Sequence, residues 1–237
     1  MKKGISLVAA IVFVSLCVRA AEAPSDFLGR WLLREGAGQS VREATDKTPS
    51  FLGARAEEDD QDPAWADGFL VFNGVNDCVT LGNEDSYALS DTGTLCAWVK
   101  PAEGDSAHDG SVVIKRSNYY LWRRKDGKLA FGYYYVDGAS EKGYEYETVI
   151  CASAAPAGKW SHAAVSWDGK AVRFFVDGKP SGESPQKGPV KFYRAPTRLG
   201  CEQADVRAYA GSIASVSIYA RALSAEEVKA EMEAFRP

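Results

Sequence analysis

The feature that most constrains the fold is a hairpin pattern that runs from Lys159 to Gly178. Two segments rich in valine, phenylalanine and tryptophan flank Asp168-Gly169, a dipeptide that suits the positive φ of a tight β-turn. A second turn dipeptide, which begins at Asp177, ends the outgoing strand. Alternation assigns the side chains of each strand to two faces, and both faces carry apolar residues. The pattern therefore predicts a pair of central strands that are covered on both sides.

Apolar runs of strand length recur along most of the chain. They predict strands near residues 27–33, 51–53, 69–82, 94–101 and 111–114, three successive strands within 116–147, and final strands near 197–200 and 212–219. No linker-like stretch of proline, serine or glycine interrupts these runs. We therefore predict one all-β domain over residues 21–237, a length that can bury a substantial core.

The chain ends with the signals of a short helix. Ser224 can cap its N-terminus and Glu227 falls at the third helical position, which together make a capping box. Leu223 is placed to pack against the first turn of this helix at Val228. The predicted buried stripe, at spacings of four and three residues, is Val228, Met232 and Phe235.

Residues 1–20 predict a secretory signal peptide. Lys2 and Lys3 precede an apolar run from Ile5 to Val18, and Ala20 supplies a small residue at the cleavage site. The run of about fourteen residues is too short to span a bilayer, so no transmembrane segment is predicted. A lipoprotein signal centred on Cys17 is the alternative, although a leucine precedes it where a small residue is preferred. We predict an exported protein in a periplasm, at a cell surface or in the medium.

The charge of the chain argues against nucleic acid as a partner. Removal of Lys2, Lys3 and Arg19 with the signal peptide changes the formal charge from −4 to −7, and no basic patch is apparent in the remainder. An acidic run extends from Glu57 to Asp62. We interpret it as a solvated loop, with a metal cage as the weaker alternative.

Four cysteines remain after processing: Cys78, Cys96, Cys151 and Cys201. An even number in an exported chain predicts two disulfides, which could be connected in three ways. Four buried free thiols are the alternative. The sequence alone does not choose among these arrangements.

Aromatic residues are concentrated between Arg116 and Glu147. Alternation puts Tyr120 and Trp122 on one face of a strand, and Tyr133 and Tyr135 on one face of the next. Saccharides rest their apolar C–H faces on aromatic rings while charged and amide side chains fix the hydroxyl groups. We predict a carbohydrate-binding site at Tyr120, Trp122, Tyr133, Tyr134 and Tyr135, against the alternative that any one of these rings belongs to the core.

Two segments carry a family resemblance. The hairpin reads Lys-Trp-x-His-x-Ala-x-x-x-Asp-Gly and then Phe-Phe-Val-Asp-Gly-Lys-Pro, and the C-terminal segment reads Ser-Ile-x-x-Val-x-Ile-Tyr-x-Arg-Ala-Leu-Ser-x-Glu-Glu-Val. Over roughly residues 68–235 the chain resembles the laminin-G-like and concanavalin A-like lectin/glucanase domains, pentraxins included. The resemblance implies an all-β, two-sheet antiparallel jelly-roll β-sandwich with a short C-terminal helix. That fold carries lectins, adhesion modules and enzymes alike.

The resemblance also implies a calcium site. The segment from Leu199 to Asp205 resembles the calcium loop of the pentraxins, and the segment from Lys115 to Asn118 resembles their other ligand segment. The ligands implied are Asn118, Glu202, Gln203 and Asp205. Ser117 stands in place of a carboxylate and Ala204 displaces the last ligand by one residue. These departures predict a weakened or absent site. Calcium is the one cofactor that the sequence suggests.

A disulfide is implied in the same way. Cys96 lies in a strand that carries a disulfide cysteine in the pentraxins, where its partner would fall near Ala164 of this chain. Because Ala164 cannot form a bridge, any bridge must run elsewhere. Our first choice is Cys78 with Cys96.

No catalytic residue is predicted. His108 lies in a polar loop, and His162 of the hairpin is interpreted as structural. Jelly-roll glucanases resembling this chain use three acidic residues on one strand, whereas here Glu145 and Glu147 are followed by Ile150 at the third position. The motif is therefore not met.

The leading functional hypothesis is an exported, non-catalytic binding domain for carbohydrate, with a glycan or a cell-surface polysaccharide as partner. The alternative is a protein-interaction or adhesion module whose partner is another polypeptide. A polysaccharide-active enzyme that uses Glu145 and Glu147 is third.

Overall fold

The computed structural model describes residues 26–45, 47–104, 109–203 and 206–237. The predicted signal peptide, with its cleavage site, lies outside the described residues. Within the described ranges, no helix is long and apolar enough to cross a membrane.

The described residues form sixteen strands and one helix. The strands are β1 (Phe27–Trp31), β2 (Ser40–Val41), β3 (Ser50–Leu52), β4 (Ala64–Ala66), β5 (Phe69–Asn73), β6 (Val79–Leu81), β7 (Thr92–Pro101), β8 (Gly110–Lys115), β9 (Tyr119–Arg123), β10 (Lys128–Val136), β11 (Tyr144–Ala154), β12 (Ser161–Asp168), β13 (Ala171–Val176), β14 (Lys179–Pro185), β15 (Thr197–Leu199) and β16 (Ala210–Tyr219). The helix α1 spans Ala225–Ala234.

The strands form two eight-stranded antiparallel sheets. The first sheet has the order β14-β13-β12-β7-β16-β5-β4, and β1 pairs with β16 as well. The second sheet has the order β11-β10-β9-β8-β15-β6-β3-β2. The predicted two-sheet antiparallel β-sandwich with a short C-terminal helix is confirmed.

The hairpin that anchored the sequence prediction occupies the first sheet. Strand β12 pairs with β13 across the Asp168-Gly169 turn and with β7 on its other side. Trp167 is fully buried, and its ring stacks on that of Phe131 from the second sheet with centroids 4.9 Å apart. Because β13 also pairs with β14, both hairpin strands lie inside the sheet, as predicted.

Helix α1 covers the outer face of the first sheet. The capping box is present, and Leu223 and Val228 are buried in one cluster with residues of the sheet. The predicted buried stripe is only partly right, because Met232 and Phe235 are half-buried whereas Glu231 is buried. Glu231 is buried because it forms an ion pair with Arg30 of β1, with 2.9 Å between Nη2 and Oε2. Tyr219 of β16 donates a further hydrogen bond to the same oxygen.

The disulfide joins Cys78 to Cys201, with the two Cα atoms 5.3 Å apart. Our first choice of Cys78 with Cys96 is therefore wrong. Cys78 precedes β6 and Cys201 follows β15, two neighbouring strands of the second sheet, whereas Cys96 lies in β7 of the first sheet. Cys96 and Cys151 are buried free thiols, so two disulfides do not form. Cys96 faces Ala164 across the β7–β12 pair, the position that the family resemblance indicated.

His162 is a buried residue of β12, and its ring packs edge-on against Trp98 with centroids 5.5 Å apart. Its backbone N–H donates to Asp177, but its Nδ1 has no partner among the described residues. The histidine is thus a packed residue of the first sheet, in agreement with its structural interpretation. His108 lies outside the described residues.

We expect His162 to make the fold sensitive to acid. Burial lowers the pKa of His162 from 6.5 to about 4. Between these values the unfolded chain binds the proton and the folded chain does not, so stability falls as the pH falls from 6.5 to 4. The loss should approach about 3 kcal/mol at pH 4. Urea denaturation of wild type and His162→Phe at pH 7 and pH 4.5 should show a smaller acid loss in the variant. Equal acid losses would contradict this assignment.

Candidate functional site

Aromatic side chains cover part of the outer face of the second sheet, where β9, β10 and β11 lie side by side. We call this set the aromatic platform, and it consists of Tyr120, Trp122, Tyr134, Tyr144 and Tyr146. Ring centroids are 4.9 Å apart between Tyr134 and Tyr146, and 6.1 Å apart between Tyr120 and Tyr146. The alternate residues of β9 and β10, such as Tyr119 and Phe131, belong to the core. The platform therefore faces away from the core.

The platform has a buried floor and an accessible layer. Tyr120 and Trp122 are each 5% exposed, whereas Tyr146 is 40% exposed. Tyr134 and Tyr144 are half-buried. Burial raises the pKa of Tyr120 to about 12, so this phenol remains neutral at any physiological pH. The accessible rings are thus three tyrosines supported from below by two fixed rings.

Gly132 of β10 makes this arrangement possible. A Cβ atom at this position would lie 2.8 Å from Cζ3 of Trp122 and still closer to the hydroxyl of Tyr146. Cβ atoms are essentially never found this close to a non-bonded atom, so any larger residue would displace the ring of Tyr146. The absence of a side chain at Gly132 lets the Tyr146 ring lie over the sheet.

Cationic side chains border the rings. The guanidinium of Arg207 lies 5.4 Å from the ring centroid of Trp122 and 5.8 Å from that of Tyr120. The ammonium of Lys191 lies 4.2 Å from the centroid of Tyr144. These distances fall within the range of cation–π contacts. The platform therefore combines apolar ring faces with hydrogen-bond donors at its rim.

Two of the five predicted aromatic residues do not lie on the platform. Tyr133 is fully buried between the sheets, where its ring stacks on Phe131 and its hydroxyl accepts a hydrogen bond from the backbone of Lys187. Tyr135 packs against the same core beside Val190. Neither residue joins the rings on the opposite face, so we leave both out of the candidate site.

Two aromatic residues of the platform were missed by the sequence analysis. Tyr146 lies directly across from Tyr134 in the β10–β11 pair, and Tyr144 lies two residues away on the same face. The signal that could have found them is the spacing of tyrosines on β11, read in register with β10. That register depends on the turn at residues 137–143, which the sequence alone did not fix.

The two carboxylates of the enzyme hypothesis lie on the other face of β11. Glu145 and Glu147 alternate with Tyr144 and Tyr146, and they pair across the sheet with Tyr135 and Tyr133. Glu145 accepts a hydrogen bond from the hydroxyl of Ser140 at 2.7 Å. The carboxylates therefore do not face a saccharide held on the platform.

The described members of the predicted calcium site do not fit a calcium ion. Nε of Arg116 lies 4.0 Å from the carboxylate of Glu202, and its Nη1 donates to Oε1 of Gln203 at 3.5 Å. Asn118 is fully buried and donates its amide to the carbonyl of Lys191, which leaves its Oδ1 without a partner among the described residues. Nowhere in the described part of the chain do three histidine, cysteine, aspartate or glutamate side chains form a metal-binding group. Asp205 lies outside the described residues, so calcium binding stays a prediction.

Solved structures of low sequence identity share this fold. Domain 4 of AbnA, an extracellular arabinanase from Geobacillus stearothermophilus solved with arabinotriose, is 20% identical with a TM-score of 0.62, over 86% of this chain and 97% of that domain. The binding domain of Paraclostridial Mosquitocidal Protein 1 is 11% identical with a TM-score of 0.65, over 89% of this chain and 52% of that one. The ligand-binding domain of botulinum neurotoxin serotype D with N-acetylneuraminic acid is 12% identical with a TM-score of 0.62, over 88% and 51% of the two chains. This chain thus spans about half the length of the two toxin domains.

No curated protein matches the sequence. A sequence model of the concanavalin A-like lectin/glucanases superfamily, Laminin_G_3, matches residues 73–229, which is more than half of the chain. This match agrees with the sandwich of two antiparallel sheets. The chain therefore belongs to the concanavalin A-like lectin/glucanases superfamily.

Proposed function

We propose that this protein is an exported, non-catalytic carbohydrate-binding domain that holds a saccharide on the aromatic platform. The observation that carries the proposal is the set of three accessible tyrosine rings that lie side by side over Gly132. Structures of the same fold support it, since domain 4 of the arabinanase was solved with arabinotriose and the neurotoxin domain with N-acetylneuraminic acid. The Cys78–Cys201 disulfide supports export, because disulfides persist in oxidising compartments.

The platform offers a saccharide both kinds of contact that it needs. The apolar C–H face of a sugar ring can rest on the rings of Tyr134 and Tyr146, while hydroxyl groups meet the donors of Lys191 and Arg207 at the rim. The floor ring of Trp122 is held by a hydrogen bond from its Nε1 to Asp109 at 3.2 Å. A fixed floor keeps the accessible rings in place before the ligand arrives, which reduces the entropy cost of binding.

A protein partner is the second candidate, and one observation favours it. Val136 and Ile150 are 52% and 46% exposed, and they extend the platform face on β10 and β11. Tyr146 is also exposed on this face, and exposed apolar side chains on one face are a feature of protein interfaces. The same tests separate the two candidates, since a protein partner predicts no affinity for any free saccharide.

We expect Tyr146→Ala to weaken saccharide binding at least tenfold, a change equivalent to about 1.4 kcal/mol. The reason is that Tyr146 is the most accessible ring of the platform and removing it exposes the floor to water. A glycan array that includes arabinotriose and N-acetylneuraminic acid should first identify ligands, with and without a calcium chelator. Isothermal titration calorimetry should then measure the affinity of wild type and variant.

Two control variants sharpen this test. Tyr146→Phe keeps the ring and should keep most of the affinity. Trp160→Ala removes a ring that contacts Phe69 and Lys100 of the first sheet. Because the platform lies on the second sheet, this variant should leave affinity unchanged. An undiminished affinity of folded Tyr146→Ala would remove the platform as the binding site.

A further inference from the structure

A cleft with three arginines adjoins the aromatic platform. It has a volume of about 310 Å³ and is lined by Arg116, Tyr193, Arg194, Pro196, Arg198 and Glu202, among others. Arg116 directly follows β8, and Arg198 is the central residue of β15. The cleft therefore lies on the same sheet as the platform. The platform occupies β11, β10 and β9, and the cleft lies at the next two strands, β8 and β15.

The side chain of Arg198 lies on the same face of the sheet as the platform. Thr197 and Leu199, the neighbours of Arg198 in β15, are fully buried, so Arg198 lies on the outer face of the sheet. Tyr120 of the platform lies close to the cleft, because its hydroxyl accepts a hydrogen bond at 2.7 Å from the backbone N–H of Ser117, the residue after Arg116. One extended ligand can thus contact both surfaces.

The three arginines are unequally neutralised. Arg194 forms an ion pair with Asp85 at 2.8 Å, whereas Arg116 lies 4.0 Å from its nearest carboxylate, Glu202. Arg198 has no carboxylate partner among the described residues and donates only to the backbone carbonyl of Glu202 at 3.4 Å. The Nε atom of Arg198 is buried and has no hydrogen-bond partner within the described part of the chain.

The positive charge of Arg198 is destabilised by its surroundings, and a bound anion would stabilise it. Burial, and after it the neighbouring charge of Arg116, lowers the pKa of Arg198 below its usual value. Among the described residues, Arg116 and Arg198 thus share the cleft with one carboxylate that pairs with either of them, that of Glu202. A guanidinium offers a planar pair of N–H donors that match a carboxylate, sulfate or phosphate group. A neutral hydroxyl group would leave the excess positive charge uncompensated.

We propose that Arg116 and Arg198 form an anion-binding subsite, and that the glycan held on the platform carries a carboxylate or sulfate group that occupies it. This inference rests on the proposed function, because it names the class of saccharide that the same face selects. Nε of Arg116 lies 4.0 Å from the carboxylate of Glu202 and its Nη1 donates to Gln203 at 3.5 Å, so the guanidinium groups themselves are the anion's ligands in this proposal.

The test compares charged and uncharged saccharides of the same backbone. The carboxylate pair is trigalacturonate and its methyl ester, and the sulfate pair is dextran sulfate and dextran. Affinities are measured by isothermal titration calorimetry at one fixed salt concentration for wild type, Arg198→Gln, Arg198→Lys and the control Arg55→Gln. Arg55 is a suitable control because its side chain is 68% exposed and pairs with Asp59 in a different loop. Thermal melts confirm that each variant is folded.

We expect wild type to bind at least one charged saccharide ten times or more tightly than its uncharged counterpart. Arg198→Gln should reduce that ratio to near one, Arg198→Lys should retain part of it, and Arg55→Gln should leave it unchanged. The pair that shows the effect identifies the anion as carboxylate or sulfate. A ratio near one in wild type for both pairs, or a ratio that survives Arg198→Gln, would overturn the inference.

The design also separates this inference from the proposed function. Suppose that Tyr146→Ala abolishes the binding of charged and uncharged saccharides, while wild type binds both equally tightly. The platform would then be supported as the binding site, and the anion subsite would be rejected. Suppose instead that Tyr146→Ala binds the charged saccharide with full affinity, and that Arg198→Gln abolishes this binding. The anion subsite would then be supported, and the platform would be rejected. Failure of wild type to bind any of the four saccharides would count against the subsite.

Discussion

Replacing Lys115 with methionine should lower the free energy of unfolding by about 3–5 kcal/mol. Lys115 ends strand β8 and is fully buried. Its ammonium donates to the backbone carbonyls of Glu84 and Ser86 at 2.9 Å each, and to that of Ala195 at 2.6 Å. Methionine fills similar space but leaves these three carbonyls without their donor. Urea denaturation at pH 7 measures the change.

The effect is large because one side chain joins two loops to the second sheet. Glu84 and Ser86 lie between β6 and β7, whereas Ala195 precedes β15. Burial lowers the pKa of Lys115 to about 8, so the group remains mostly protonated at pH 7. The control is Lys170→Met, which removes an exposed lysine at the hairpin turn and should change stability by less than about 0.5 kcal/mol. A loss below 1 kcal/mol in Lys115→Met would show that the loops do not depend on the ammonium.

The double variant Cys78→Ser, Cys201→Ser should lose about 4–5 kcal/mol of stability. The disulfide joins residues 123 apart in sequence, and a loop this long removes much of the conformational freedom of the unfolded chain. Urea denaturation with and without dithiothreitol should show a large loss on reduction of wild type and no further loss in the double variant.

Cys96→Ala supplies the control for this prediction. Cys96 is a buried free thiol in the first sheet, so the variant should keep the full sensitivity to reductant. Peptide mapping under non-reducing conditions should recover Cys78 linked to Cys201. Unfolding of wild type that does not respond to dithiothreitol, or a map that links Cys78 to Cys96, would contradict the assignment.

Elements defined by local chemistry were predictable from the sequence. The hairpin around Asp168-Gly169 was predicted because its turn dipeptide and its alternating strands lie within twenty residues of each other. The C-terminal helix was predicted because Ser224 and Glu227 satisfy each other's backbone N–H groups within one turn. Neither feature needs information from a distant part of the chain.

Features that depend on distant partners were not predictable in the same way. The disulfide partner of Cys78 follows from the adjacency of β6 and β15, which lie more than a hundred residues apart. Glu231 is buried against expectation because Arg30, at the other end of the chain, neutralises it. In both cases the contact depends on where a strand that is distant in sequence lies in its sheet.

The candidate site was predicted in part for a related reason. Alternation divided the aromatic residues of β10 correctly into two faces, but both faces are apolar and the pattern did not show which one lines the core. Tyr133 was therefore assigned to the site although it is fully buried, while Tyr146 was missed. The segment from Leu199 to Asp205 only resembles a calcium loop, and in the structure the guanidinium of Arg116 contacts Glu202 and Gln203, two of the predicted ligands.

The position of β16 has a consequence for how this protein is made. This strand follows β7, β5 and β1 by more than a hundred residues in the chain, yet it pairs with all three in the interior of the first sheet. During synthesis from the N-terminus, those three strands keep unpaired edges until residue 219 emerges. The Cys78–Cys201 disulfide likewise cannot form until residue 201 has been made. The first sheet therefore cannot close before β16 has been synthesised, and in the interval its unpaired edges are sites for chaperones or for aggregation.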